Sequence, residues 1–208
     1  MSTYSYLALG DSYTIGEQLD LMDSFPYQAV QLLRNAGFNF QAPEIIAANG
    51  WTTDELKDAI DKQVLLSTYD FVSLLIGVNN QFRGRSVDEF RAHFRTLLEL
   101  AISLADGVAE NVIVISIPDY SVTPFANGRS PESIRSQIDT YNFICRAAAE
   151  HFQTQCIDIT TSQRADGHKA EFLAPDLLHP SSREYSKWAD KLSNAMITVL
   201  EGARPWLE

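Results

Sequence analysis

The 208-residue sequence predicts an α/β protein built on a parallel sheet of about five strands. Two observations carry that prediction. Short apolar runs alternate strictly with longer amphipathic segments, the pattern of right-handed strand–helix–strand units. The runs are also almost continuously apolar rather than alternating, as expected of strands covered by helices on both faces.

The first run is "YLALG" at 6–10, followed by a helical pattern near 24–37 that Gly37 can end, since a left-handed cap costs glycine little. The second run, "EIIAAN" at 44–49, leads into a helical pattern near 52–66, where Thr53 precedes two acids, Asp54 and Glu55, that suit a helix N-terminus. The third, "DFVSLLIG" at 70–77, is followed by the amphipathic stretch 86–106, whose apolar spacing reads as core packing. The fourth, "NVIVISIP" at 111–118, precedes a helix over 131–152 with Pro131 in its first turn behind Ser130. The fifth, "TQCIDI" at 154–159, is followed by a final helix over 182–202. Neither a repeat nor a linker divides the chain, so 1–208 reads as one domain with enough apolar residues (45%) for a full core.

Charge and composition narrow the function classes. A formal net charge of -11 argues against nucleic acid and anionic lipid surfaces, both of which need clustered Lys and Arg. No apolar run approaches the length of a membrane span, so no stable membrane insertion is expected. "MSTYSYLALGDS" lacks a basic leader region and reaches strand residues at once, which predicts no cleavable signal and a cytoplasmic protein. Cys145 and Cys156 are the only cysteines, and they read as buried free thiols. His93, His151 and His168 show no ligand spacing and read as surface or helix-end residues, so no metal site and no cofactor are expected. No phosphate loop of the Walker or dinucleotide type is present.

Four constellations can carry chemistry, and each has a plain alternative. In "GDSYTIG" (10–16), glycines allow a sharp turn that exposes the Ser12 hydroxyl at a helix start; Ser or Asp there also simply caps a helix. "NGWTT" (49–53) places Gly50 after the second strand, where Asn-Gly is equally a common turn. "GVNN" (77–80) places amides after the third strand, where Asn79 can donate to an oxyanion, or the pair can act as caps. "DLLHPS" (176–181) holds Asp176 three residues before His179. A nucleophilic serine needs such a base, and the base needs such a carboxylate. The alternative is a polar loop in which Pro180 opens the last helix. In a parallel sheet, ligands bind beyond the carboxyl ends of the strands, near the point where strand order reverses, and that is where these stretches fall.

Taken together, and in this order, the four stretches resemble the blocks of the SGNH hydrolases, also called the GDSL esterase/lipase family. "GDSYTIG" is similar to the nucleophile block, "NG" to the glycine block, "GVNN" to the Gly-x-Asn block and "DLLHPS" to the Asp-x-x-His block. The resemblance runs from residue 7 to about 182. It implies a three-layer α/β/α, flavodoxin-like fold and a catalytic triad of Ser12, Asp176 and His179. It also implies an oxyanion hole from the backbone N–H groups of Ser12 and Gly50 and the side chain of Asn79. Tyr13 stands where the family usually has Leu, and Asn80 where it often has Asp, which leaves open whether they alter specificity. The lack of Gly-x-Ser-x-Gly argues against an α/β-hydrolase elbow.

The sequence is therefore read as a cofactor-free serine esterase acting on small carboxylic esters by acyl-enzyme chemistry. Short acyl groups are expected, because Tyr13, Trp51, Phe82, Tyr120, Phe125 and Phe172 all fall in segments that can line and narrow the crevice. The alternatives are a thioesterase or lysophospholipase with the same triad, or a silent module that binds carbohydrate or acyl ligands. Acyl group, alcohol, ester versus thioester preference and oligomeric state are left open.

Overall fold

The computed structural model describes residues 3–202. The first two residues of the stretch read as lacking a signal, and the last six of the span read as one domain, lie outside the described residues. Five strands form one parallel sheet in the order β2-β1-β3-β4-β5. They are β1 (Tyr6–Asp11), β2 (Glu44–Ala48), β3 (Phe71–Leu75), β4 (Val112–Ile115) and β5 (Gln155–Ile157). The three inner strands are buried along their whole length. At the edges the expected continuous burial fails: β2 buries one residue, Ile46, and none of the three residues of β5 is buried. An edge strand is covered incompletely, so its residues need not all be apolar. Cys156 on β5 is accordingly exposed, which corrects the expectation of two buried thiols; Cys145 is buried and free as expected.

The long helices are α2 (Phe25–Asn35), α3 (Thr53–Ile60), α5 (Val87–Leu104), α6 (Pro131–Phe152) and α8 (Ser182–Gly202). α2 and α8 pack together as one layer, while α3, α5 and α6 pack in series as the other. The result is the three-layer α/β/α arrangement. Gly37 ends α2 as expected, with φ +90 and the Phe38 N–H donating back to the Leu33 carbonyl at 3.0 Å. α3 begins at Thr53, where the sequence placed the helix start, with Asp54 and Glu55 in its first turn and Thr52 as its cap. Thr52 and Glu55 form a capping box, the Thr52 N–H donating to Glu55 Oε2 at 2.8 Å. α3 stops at Ile60, six residues short of the expected end. Lys62 and Gln63 donate to carbonyls three residues back, tightening the last turn, and Val64 and Leu66 beyond it face solvent. His93 is also not on the surface or at a helix end: it is half-buried within α5, its Nδ1 3.4 Å from Thr53 Oγ1.

Three short helices escaped the periodicity: α1 (Ser12–Ile15), α4 (Val78–Phe82) and α7 (Thr160–Asp166). Each follows a strand. The chain leaves β1 to build β2 on one side and returns to build β3 on the other, so the strand order reverses at β1. Ligand crevices of open parallel sheets form at that point, and the first residue after β1 is Ser12.

Candidate active site

Gly10 lets β1 run directly into α1. A Cβ at this position would lie 2.0 Å from Thr14 Oγ1 and 2.6 Å from the Leu75 carbonyl, so only glycine fits between the helix and β3. The cap of α1 is Asp11: its backbone is extended, and its Oδ1 accepts the Tyr13 N–H at 3.0 Å. Ser12 is thus the first helical residue rather than the cap, and its hydroxyl is not spent on the helix. Asp11 is fully buried, and burial pushes its carboxyl up to about 7 against the opposing pull of the Tyr13 N–H.

The partner of Ser12 comes from the other end of the chain. His179 Nε2 lies 2.9 Å from Ser12 Oγ, and His179 Nδ1 lies 2.5 Å from Asp176 Oδ2. The other carboxylate oxygen of Asp176 accepts the backbone N–H groups of Leu178 and His179, each at 3.0 Å. Leu177 takes the left-handed conformation (φ +59), which a side chain disfavours by roughly 1–2 kcal/mol. The loop is held in that shape from both sides. Ala174 N–H donates to the His179 carbonyl at 2.8 Å, and Leu173 bridges Pro180. Burial works to raise the Asp176 carboxyl, but hydrogen bonds from the His179 ring and from the two backbone N–H groups outweigh it and hold it below the ordinary range. An ionised Asp176 accepts a proton-bearing Nδ1, which leaves Nε2 bare toward Ser12. The Tyr13 ring lies 4.8 Å from the imidazole and stacks in turn on Trp188, so the imidazole rests against the core.

A cavity of about 280 Å³ opens over Ser12 and His179. Gly50 and Asn79 stand on its polar side; Tyr13, Phe82, Tyr120 and Phe125 stand on its apolar side. The four candidate blocks are therefore brought to one crevice. Asn79 Nδ2 donates one hydrogen to the Trp51 carbonyl at 3.0 Å, and its contact to Asp11 Oδ2, at 3.5 Å, is long. One N–H of the amide is firmly committed and the other only weakly held. Gly50 has φ +80, a conformation that strains any side chain, and its carbonyl accepts Arg83 Nη2 at 2.6 Å. Asn80 is not part of the crevice lining. It is fully buried and spans the start of α3, accepting the Thr53 N–H at 3.1 Å and donating to Thr53 Oγ1 at 2.9 Å.

Two aromatics expected at the crevice are absent from its lining. Trp51 contributes its carbonyl to Asn79 while its half-buried ring packs on the core. Phe172 is buried beneath Lys187 and Arg183. Conversely, the sequence offered Asp11 only as a possible cap, not as a buried carboxyl beside Ser12, and did not single out Arg83. The Asp-Ser step at a strand end was the available signal for Asp11; Arg83 lies in a segment with no distinguishing pattern.

A family model described as the GDSL-like lipase/acylhydrolase family matches residues 8–187. The chain belongs to that family. It is an ester-bond hydrolase by class, and the family acts on small ester substrates. A comparison with curated proteins found no match. Among solved structures, the chain is similar to the lipase/acylhydrolase from Enterococcus faecalis, with 21% identity and a TM-score of 0.72 over 96% of this chain and 97% of that one. It is also similar to Axe2, an acetylxylan esterase from Geobacillus stearothermophilus, with 20% identity and a TM-score of 0.70 over 99% and 96%. A third similar structure is TesA, with 15% identity and a TM-score of 0.74 over 95% and 99%. At these identities the likeness establishes the fold. No helix among the described residues is long and apolar enough to cross a membrane.

Proposed function

We propose that this hydrolase is a serine esterase in which Ser12 is the nucleophile, His179 the general base and Asp176 the residue that orients and stabilises the imidazole. The observation that carries the reading is the continuous relay from Asp176 Oδ2 to His179 Nδ1 (2.5 Å) and from His179 Nε2 to Ser12 Oγ (2.9 Å), with the buried imidazole against Tyr13. In the first half-reaction His179 takes the hydroxyl proton as Ser12 Oγ attacks the ester carbonyl, and the protonated imidazole then delivers that proton to the departing alcohol. In the second half-reaction His179 takes a proton from water as the water attacks the acyl carbonyl; the bond from the acyl carbon to Ser12 Oγ then breaks, the acid leaves, and the imidazole returns its proton to Ser12 Oγ. The backbone N–H groups of Ser12 and Gly50 and the Asn79 amide stabilise the tetrahedral oxyanion, each donor contributing about 2.7–4 kcal/mol on the scale of known single deletions. The chemistry runs on these side chains without a cofactor.

The acyl group is short. A cavity of about 280 Å³ lies at the small end of ligand pockets, roughly 300–1,000 Å³, and four aromatic rings wall it. An ester panel with acyl chains from acetyl to dodecanoyl tests both statements. Wild type hydrolyses acetyl or propionyl esters with the highest kcat/KM, and Ser12→Ala, folded by its melting curve, hydrolyses none. A preference for the longest chain refutes the size reading; turnover by Ser12→Ala refutes the nucleophile.

A further inference from the structure

Three rings on the apolar side of the crevice form a cluster: Phe82 lies 6.0 Å from Tyr120 and 6.1 Å from Phe125, and Tyr120 lies 6.3 Å from Phe125. On this cluster rests a guanidinium. Arg129 Cζ is 4.7 Å from the centre of the Phe82 ring and 5.5 Å from that of Phe125. A tight turn delivers it there. Asn127 (φ −56, ψ 130) and Gly128 (φ +83) have the backbone of a type II turn, closed by the Arg129 N–H donating to the Ala126 carbonyl at 2.9 Å.

Arg129 has no carboxylate within ion-pair distance and no side-chain hydrogen bond among the described residues. Its neighbours in the same region are paired: Arg83 with Glu55, Arg85 with Asp54 and Glu89, Arg164 with Asp119 and Asp139. Arg34, Arg91, Arg146 and Arg183 also form no ion pair among the described residues, but of these five arginines only Arg129 is stacked on rings that line the crevice. Ring faces attract a guanidinium but leave its charge and its N–H fork unneutralised. The cation is therefore oriented beside the crevice with its donors open.

We propose that Arg129 is a specificity residue that receives an anionic group of the substrate, so that the preferred substrates are esters bearing a carboxylate or a phosphate beyond the aromatic wall. The inference rests on the serine-esterase reading and extends it to a substrate class. A fork that donates two parallel N–H bonds fits either oxyanion. The sign of the effect is distinctive, because a protein of net charge -11 without such a local cation repels anionic substrates.

The test compares phenyl acetate with 4-carboxyphenyl acetate and with a phosphate-bearing phenyl acetate in wild type, Arg129→Gln and Arg129→Lys. The readout is the ratio of kcat/KM for each anionic ester to that for the neutral one. Arg129→Gln lowers this ratio roughly tenfold, the scale of one charge-assisted hydrogen bond, and Arg129→Lys restores part of it. The anionic ester with the larger drop identifies the oxyanion. Added salt lowers the ratio in wild type, as screening weakens an attraction. A ratio unchanged by Arg129→Gln, or one that rises with salt in wild type, overturns the proposal. If wild type cleaves none of the esters, the esterase reading fails instead. The anion site is then tested by titrating benzoate and phenyl phosphate: binding that is lost in Arg129→Gln supports it, and equal or absent binding overturns it.

Discussion

Asp11→Asn removes an ionisable group from directly beneath the nucleophile, and its effect on stability has a definite sign and pH window. Asp11 is fully buried, and no cation forms an ion pair with it among the described residues. Burial lifts its carboxyl from the ordinary 3.8 to about 7, with the Tyr13 N–H pulling weakly the other way. A group whose folded value is raised favours folding in its protonated state. Stability is therefore undiminished below pH 3.8, falls as the pH rises toward 7, and stays reduced above it. The gap of about 3 in pKa, at 1.36 kcal/mol for each, comes to about 4 kcal/mol. That figure is a ceiling, since an ionised Asp11 draws a stronger bond from Asn79. Asparagine keeps the shape and accepts the Tyr13 N–H as a good cap, but never ionises. The variant should melt with wild type near pH 4 and above it near pH 8. At about 2–4 °C per kcal/mol for a chain of this size, the separation reaches roughly 10 °C. Thermal melts across this pH range measure it. A separation that is constant with pH, or that favours wild type at alkaline pH, refutes the reasoning.

Asn79→Ala should lower kcat roughly 100- to 1,000-fold while sparing KM, because the amide acts on charge that develops in the transition state; steady-state kinetics in which only KM rises would make it a ground-state contact. His179→Ala should approach the Ser12→Ala level, whereas Asp176→Ala retains measurably more activity, since Asp176 moves no proton itself; equal losses in a single-turnover assay would contradict this division. Partial burial works to raise the Asp176 carboxyl, but three hydrogen bonds outweigh it and hold the group below its ordinary value, so its contribution to stability is present above pH 3.8 and is lost only as pH drops through the depressed value. Thermal melts of wild type and Asp176→Asn across the acid range measure this; a wild-type advantage that vanishes already above pH 3.8 would contradict it.

The sheet was legible where burial is two-sided. β1, β3 and β4 read as strands because every residue faces a helix layer, and the five long helices read from their apolar spacing. The edge strands β2 and β5 were located too, but their partial exposure, and that of Cys156, was not legible, since an apolar run does not say whether both of its faces will be covered. α1 and α4 are a single turn each and α7 barely two, too short for a periodic signal; caps and neighbouring glycines set them. Ser12, Gly50 and Asn79 were legible from their positions after strands and Asp176 and His179 from their spacing before the last helix; the fold brings Ser12, Gly50, Asn79 and His179 to one cavity, with Asp176 bonded to His179 outside its lining. Which aromatics line it was only partly legible. Trp51 and Phe172 sit in adjacent segments, but their rings turn to the core and to Lys187. Asp11 was read with Ser12 as a possible cap, yet its burial, and so its raised carboxyl, depends on packing against distant elements.

The central claim is that Ser12 is the activated nucleophile. A phosphonate ester that reacts with activated serines, followed by intact-mass analysis and peptide mapping, tests it most directly. The account predicts one adduct per chain, carried by Ser12, forming far more slowly in His179→Ala than in wild type. Labelling of a different residue, or a folded wild-type protein that hydrolyses esters yet takes up no label at Ser12, would contradict it.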